Sequence, residues 1–542
     1  MFDLPGFELP MSERRAARWI LLALLALITL PYLFAPFLLP QERVWGGLLG
    51  SADDQNVHLM WARQAQNGQL FFRDLFAVEG LKSDEKPLFF NVLPAVIGVL
   101  SRLTTLDGVF FYHALRVALA AFALWQFHLL ALCVTQNEPK WSRARLIALF
   151  LLALTTGAAF LAPLLGFSRF VFIDSPTGNF PLMPEAFFLL SAFAYPLNIA
   201  SFGLLALLFR LVLEKKGAPA AFVAALLLAN IHTYDALPLV LTLLLWTIWK
   251  RDWKVSAAAI LGALIPVGYQ ILVFRGSEEF RLKALTVTAP PDALSMLISL
   301  APLWILGLFG VKKWRELPAT RLLLVWIAAT FALVYAPTAL FSFARKMIEG
   351  VQMPLVLLAA IGASELLSKI QNSGARKLAA ASFGVVLMLS PALFFAWIAG
   401  NTLENNASRW NVLMPPLAIS RGDAGALQWL AAQNGRGAVL CLPYLGSYVP
   451  RATGKFTYAG HWAETLRFKE EKFPLAARFY RGEMNAETAR QFLRENRIVW
   501  IVEGEFERAL APNASMAQKL GLLPVWSGGD AQNGVTTVYR AP

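Results

Sequence analysis

The densest group of chemically capable side chains in this sequence is Ser51-Ala-Asp-Asp-Gln-Asn-Val-His58. Two adjacent carboxylates, Asp53 and Asp54, open a stretch with helical spacing that closes at Gly68, a residue type suited to end a helix. A carboxylate within hydrogen-bond reach of a hydroxyl can take its proton as a general base. His58 lies four residues after Asp54 and so shares its helical face. A divalent metal held by Asp54 and His58 is one role open to that pair. The plainer reading is that acids in a first turn cap the helix and oppose its dipole.

Further polar groups recur in short segments between apolar runs. Lys86-Pro87 stands where the chain returns to apolar sequence, as a snorkelling lysine or as a cation for a lipid phosphate. Arg169, Asp174 and then Asn179-Phe-Pro-Leu-Met-Pro-Glu185 precede another long run, which Glu185 would either cap or serve as a site residue. The tight turn Ile231-His-Thr-Tyr-Asp235 brings His232, Tyr234 and Asp235 together, more polar groups than solubility requires. Ser342-Phe-Ala-Arg345-Lys346 adds two cations, suited to an anionic head group or to a local pair with Glu349.

The elements that must position these residues are written in the composition. Of 542 residues, 57% are hydrophobic and 15% charged, against about 45–50% and about 25% in soluble domains. The excess lies in runs long enough to cross about 30 Å of hydrocarbon. We expect crossings at 19–39, 109–134, 146–167, 187–213, 218–232, 235–249, 255–274, 294–311, 321–343, 351–367 and 378–400, with 89–104 as a twelfth span or an interfacial segment. Leaving 89–104 out of the count puts basic pairs and triplets on one side of the membrane throughout. That alternation predicts a cytoplasmic N-terminus. The first run, from Trp19 to Leu39, is too long for a cleaved signal and is expected to remain as a span. The net charge of +13 is explained by these loops rather than by nucleic acid. Cys133 and Cys441 make no disulfide framework.

The expected fold is a polytopic α-helical membrane protein with about eleven or twelve spans and a C-terminal extracytoplasmic α/β domain. Residues 1–400 form the membrane domain, with a first external loop at 40–108, and 401–542 form the soluble one. In the tail, 424–433 and 486–496 predict helices, and 438–442, 498–503 and 536–539 predict strands. The location expected is the inner (plasma) membrane.

These residues resemble the GT-C fold glycosyltransferases, in particular the protein O-mannosyltransferase and lipid A aminoarabinose transferase group. The resemblance rests on Asp53-Asp54, Trp61-Ala-Arg63 and Gly68, then Glu85-Lys86-Pro87-Leu88, Asp107-Gly-Val with Arg116, and Met183-Pro-Glu185. It covers roughly residues 15–215. The family's usual Asp-Glu is Asp-Asp here, and a common tyrosine is Val57. Gly460-His-Trp-Ala-Glu464 and Phe479-Tyr-Arg481-Gly-Glu483 look like the external domain of bacterial relatives, and no Trp-Trp-Asp signature of an oligosaccharyltransferase occurs.

The resemblance implies transfer of a hexosyl or pentosyl sugar from a polyprenyl-phosphate donor, with inversion, to an extracytoplasmic glycolipid, glycan or protein. Asp53 would be the base, with Asp54 and Glu185 orienting substrate or holding a divalent ion. Lys86, Arg345 and Lys346 would neutralise the phosphate. His58, Asp174, His232, Tyr234 and Asp235 would line the cavity. Competing readings are a secondary transporter or flippase-like protein, and a non-catalytic glycan-assembly protein.

Overall fold

The computed structural model describes residues 10–81, 87–166, 183–405, 415–510, 515–529 and 534–542. Every stretch expected to cross the membrane is helical wholly or in part. In hydrocarbon, each backbone N–H and C=O must be satisfied within its own segment, and the helix does that. Among the described residues, six helices are long and apolar enough to cross: Met11–Leu38, Gly108–Val134, Pro196–Glu214, Lys254–Gly276, Ala344–Ser368 and Ser373–Leu403. A seventh crossing is made if Ala293–Ser299 and Ala301–Val311, bent by 70°, count as one span. The chain is a polytopic helical membrane protein carrying a C-terminal sheet domain.

The chain divides into two compact units. The first comprises Met1–Pro31, His113–Ile271 and Val287–Trp397. Several of its spans are broken, and proline explains two breaks. Pro196 begins the helix Pro196–Glu214 and holds Tyr195 extended at φ −126° and ψ 100°, which ends the preceding Phe188–Ala194. Pro302 likewise sits in the first turn of Ala301–Val311. The stretch expected to continue to 167 stops at Leu154.

Backbone groups freed by these breaks are re-satisfied by buried side chains. Gln352 accepts from Phe188 N–H at 2.8 Å and donates to the Thr155 carbonyl at 3.2 Å. Arg116 donates to the carbonyl of Ala192, four residues before Pro196, at 2.7 Å, and also to that of Ile28 within the unbroken first helix at 3.0 Å. The helices Ala301–Val311 and Gln352–Ser368 approach so closely that a Cβ on Gly362 would lie 2.0 Å from the Leu306 carbonyl oxygen, the small-residue contact usual between membrane helices. Elsewhere in the unit, Arg145 and Glu13 form a fully buried double hydrogen bond at 2.7 and 2.8 Å.

The second unit comprises Tyr32–Tyr112, Leu272–Thr286 and Ile398–Pro542. Its strands are β1 (Arg43–Trp45), β2 (Ala418–Ser420), β3 (Ala438–Leu440), β4 (Phe456–Thr457), β5 (Ile498–Glu503), β6 (Pro524–Gly528) and β7 (Thr536–Arg540). A five-stranded sheet runs β4-β3-β5-β7-β6. Strand β3 is parallel to β4 and β5, whereas β7 is antiparallel to β5 and β6. Val439, Cys441, Trp500, Val502 and Val538 pack there against Leu427 and Leu430 of the helix Arg421–Ala432. Separately, β1 pairs antiparallel with β2, joining the segment after the first span to the tail. The Thr457 N–H extends this link by donating to the Leu75 carbonyl at 2.9 Å.

Candidate functional site

The acidic pair lies in the first turn of the helix Ala52–Gln66, yet neither acid is spent on simple capping. Ser51 occupies the cap position without a side-chain bond. Asp53 is 3% exposed. Its Oδ2 accepts from Trp462 Nε1 at 3.1 Å and lies 3.4 Å from His461 Nε2. The same Nε2 lies 3.1 Å from Asp54 Oδ1. Asp53 Oδ1 is buried with no hydrogen-bond partner. One oxygen is therefore fixed by protein donors while the other keeps its acceptor capacity.

The donors come from a turn with no room for a side chain at its first residue, Gly460. A Cβ on Gly460 would lie 2.6 Å from the Phe76 ring and 2.8 Å from the Gly446 carbonyl oxygen. Gly460 N–H donates to Thr465 Oγ1, and Thr465 N–H to the His461 carbonyl. Within this turn, Ala463 and Glu464 N–H both donate to His461 Nδ1 at 3.1 Å.

Two influences on His461 oppose each other. Burial lowers its pKa, but hydrogen bonds and charge from Asp53 and Asp54 outweigh burial and raise it to about 9. The backbone donors, however, need a lone pair on Nδ1, which an imidazolium lacks. The turn is built for the neutral Nε2–H form, and a second proton would have to break both bonds to Nδ1.

Around this core stand charges that the sequence did not mark. Lys283 pairs with Glu464 and lies 3.9 Å from Asp74, with its ammonium 5.7 Å from the Trp61 ring. Burial, chiefly, raises the Asp74 pKa. Burial and then the Asp74 charge push Glu279 up to about 7. The Gly460–Glu464 motif was legible, but not its partner some 400 residues earlier. Lys283 carried no signal beyond its place in a loop.

The first unit holds a second cluster. Glu185 sits in the short turn Pro184–Ala186, before rather than at the cap of the next helix. Arg345 Nη2 lies 3.3 Å from Glu185 Oε1, so the arginine pairs there rather than with Glu349. Lys346 lies over the Tyr234 ring at 4.8 Å. Asp235 occupies the cap position of Ala236–Lys250 with no capping bond. Its Oδ2 instead meets His232 Nδ1 at 3.0 Å, and Glu349 Oε2 lies 3.1 Å from the same nitrogen.

Of the remaining expected site residues, His58 Nδ1 faces Tyr112 Oη at 3.5 Å, with Trp61 beside its ring. Lys86 and Asp174 lie outside the described residues. Among the described residues, two groups bring His, Asp and Glu ligand atoms within 4.8 Å: Asp53, Asp54 and His461, and His232, Asp235 and Glu349. His58 belongs to neither. In the first group, the Nε2–H form of His461 is a donor and has no lone pair for a metal, so that residue does not fit as a ligand.

No family model and no curated protein matches the sequence. Solved structures do match the fold. The apo oligosaccharyltransferase of Archaeoglobus fulgidus aligns over 98% of this chain and 74% of its own, at 14% identity and a TM-score of 0.51. The same enzyme tethered to an acceptor peptide with an NVT sequon aligns over 96% and 74%, at 12% identity and 0.50. ArnT from Cupriavidus metallidurans bound to undecaprenyl phosphate aligns over 97% of both chains at 14% identity, with a TM-score of 0.44. With its broken spans and its sheet domain, the chain has the GT-C fold, that of the archaeal oligosaccharyltransferase.

Proposed function

We propose that this chain is a membrane glycosyltransferase that moves a sugar from a polyprenyl-phosphate carrier to an acceptor hydroxyl, with inversion at the anomeric carbon. The observation that carries the reading is the Asp53 carboxylate: buried, held through Oδ2 by Trp462 and His461, and left with an unpartnered Oδ1. A buried acceptor without a partner asks for an explanation. A general base supplies one. The acceptor O–H proton passes to Asp53 Oδ1, the new C–O bond forms, and the anomeric C–O bond to phosphate breaks as the polyprenyl phosphate leaves.

Asp54, with about half its side chain exposed, orients the acceptor, and His461 holds the two acids apart as a shared donor. The donor phosphate gains charge as the bond breaks, and fixed cations stabilise that change. Lys86, Arg345 and Lys346 are proposed for this role. Lys283, the cation in the cluster around Asp74 and Glu464, is proposed for it as well. An N-terminus in the cytoplasm, with the Asp53 helix and sheet domain outside, fits the distribution of basic loops.

The test is radiolabel transfer from a panel of polyprenyl-phosphate sugars by the purified protein in lipid. Asp53→Asn should lower transfer by about 10²–10⁴-fold, the usual contribution of a general base. Full activity in a folded Asp53→Asn variant removes the assignment. No transfer from any carrier by the wild-type protein removes the function.

A further inference from the structure

The cluster in the first unit has a chemistry of its own. Asp235 and Glu349 are each 1% exposed. Carboxylates rarely enter so dry a place unless paired or bound to a metal. The groups facing them do not complete their bonding. A single ring nitrogen, His232 Nδ1, stands between Asp235 Oδ2 at 3.0 Å and Glu349 Oε2 at 3.1 Å. It holds at most one proton and can make one good hydrogen bond with it. Asp235 Oδ1 and both carboxylate oxygens of Glu349 are buried without hydrogen-bond partners. Of the nearby cations, Arg345 pairs with Glu185 and Lys346 lies over the Tyr234 ring.

Two carboxylates and one imidazole with ligand atoms inside 4.8 Å of one another form a donor set that suits a divalent cation of the zinc or manganese type. The cation would replace the Nδ1 proton, neutralise both acids and use the idle oxygens. The scaffold favours a fixed site. His232 and Asp235 lie on one short turn between the helices Ala218–Ile231 and Ala236–Lys250, and Glu349 closes the turn Ala344–Ile348.

We infer that His232, Asp235 and Glu349 bind one divalent metal ion. This goes beyond the proposed transfer reaction and does not depend on it.

The full-length protein, purified in detergent and stripped with chelator, is loaded with Zn²⁺ or Mn²⁺ and desalted. Bound metal is counted by mass spectrometry, and affinity is measured by calorimetry. The wild-type chain should retain about one equivalent by this donor set. Asp235→Asn and Glu349→Gln, close isosteres, should each weaken binding by at least about tenfold. Asp53→Asn should bind as the wild type does. Loading with Co²⁺ adds a visible spectrum that His232→Asn should alter, which separates loss of a ligand from loss of the fold. A wild-type chain that takes up no metal overturns the inference. Undiminished binding in both Glu349→Gln and Asp235→Asn overturns it equally.

Discussion

The two units each bury an acidic cluster around one histidine, and they treat it oppositely. In the second unit the chain brings donors to its acids: the Trp462 indole and the His461 ring meet Asp53 and Asp54. Asp53 Oδ1 is buried without a partner. In the first unit one imidazole stands between two carboxylates, and Asp235 Oδ1 and both Glu349 oxygens lack hydrogen-bond partners. The supply of N–H groups, more than the acids, decides what a cluster is ready to do. Donors fix a carboxylate in place and favour its charged form. A donor-poor pair calls for positive charge.

The largest effect should come from removing charge where donors are plentiful. Asp53→Asn keeps an acceptor oxygen for Trp462 and His461, so the fold should persist while transfer falls by about 10²–10⁴-fold. If that variant transfers at the wild-type rate and Glu349→Gln does not, the roles of the two clusters are reversed.

A second effect concerns the acids around Lys283. Glu279 moves from 4.5 when unfolded to about 7 when folded, so the fold prefers its neutral form. That contribution is complete below about pH 4.5 and is lost as pH rises through about 7. Glu279→Gln mimics the neutral form. It should match the wild type in thermal stability near pH 4.5 and exceed it at pH 8, by no more than about 3 kcal/mol. A pH-independent difference would break this account.

Next, Arg345→Gln withdraws the cation from the buried Glu185. It should destabilise the protein by about 1–3 kcal/mol in thermal melts. The smallest effect is expected at Ser447, whose Oγ accepts from Asn56 at 3.1 Å in the second unit. Ser447→Ala should lower stability by about 1 kcal/mol and leave metal binding untouched.

Local rules made much of this legible. Gly68 closes the acidic helix with φ +91°, and the expected strand 498–503 is observed as Ile498–Glu503. Helix 486–496 is observed as Ala486–Glu495. Periodicity and glycine carry such information because they act over a few residues. The broken spans were less visible. Apolar composition runs unchanged across Tyr195 and Leu300, and the prolines alone marked the breaks. The donors to Asp53 were hidden most deeply, since His461 and Trp462 lie some 400 residues away in the chain. Likewise, the partner of Arg345 could not be chosen from sequence, where Glu349 is nearer than Glu185.

The pairing of β1 with β2 also has a consequence for how the molecule is made. Arg43–Trp45 leaves the ribosome long before Ala418–Ser420, and the Gly460 turn follows later still. A half-synthesised chain thus exposes its acidic helix without the indole and imidazole that complete it. The contacts that hold Asp53 are among the later ones that synthesis makes available.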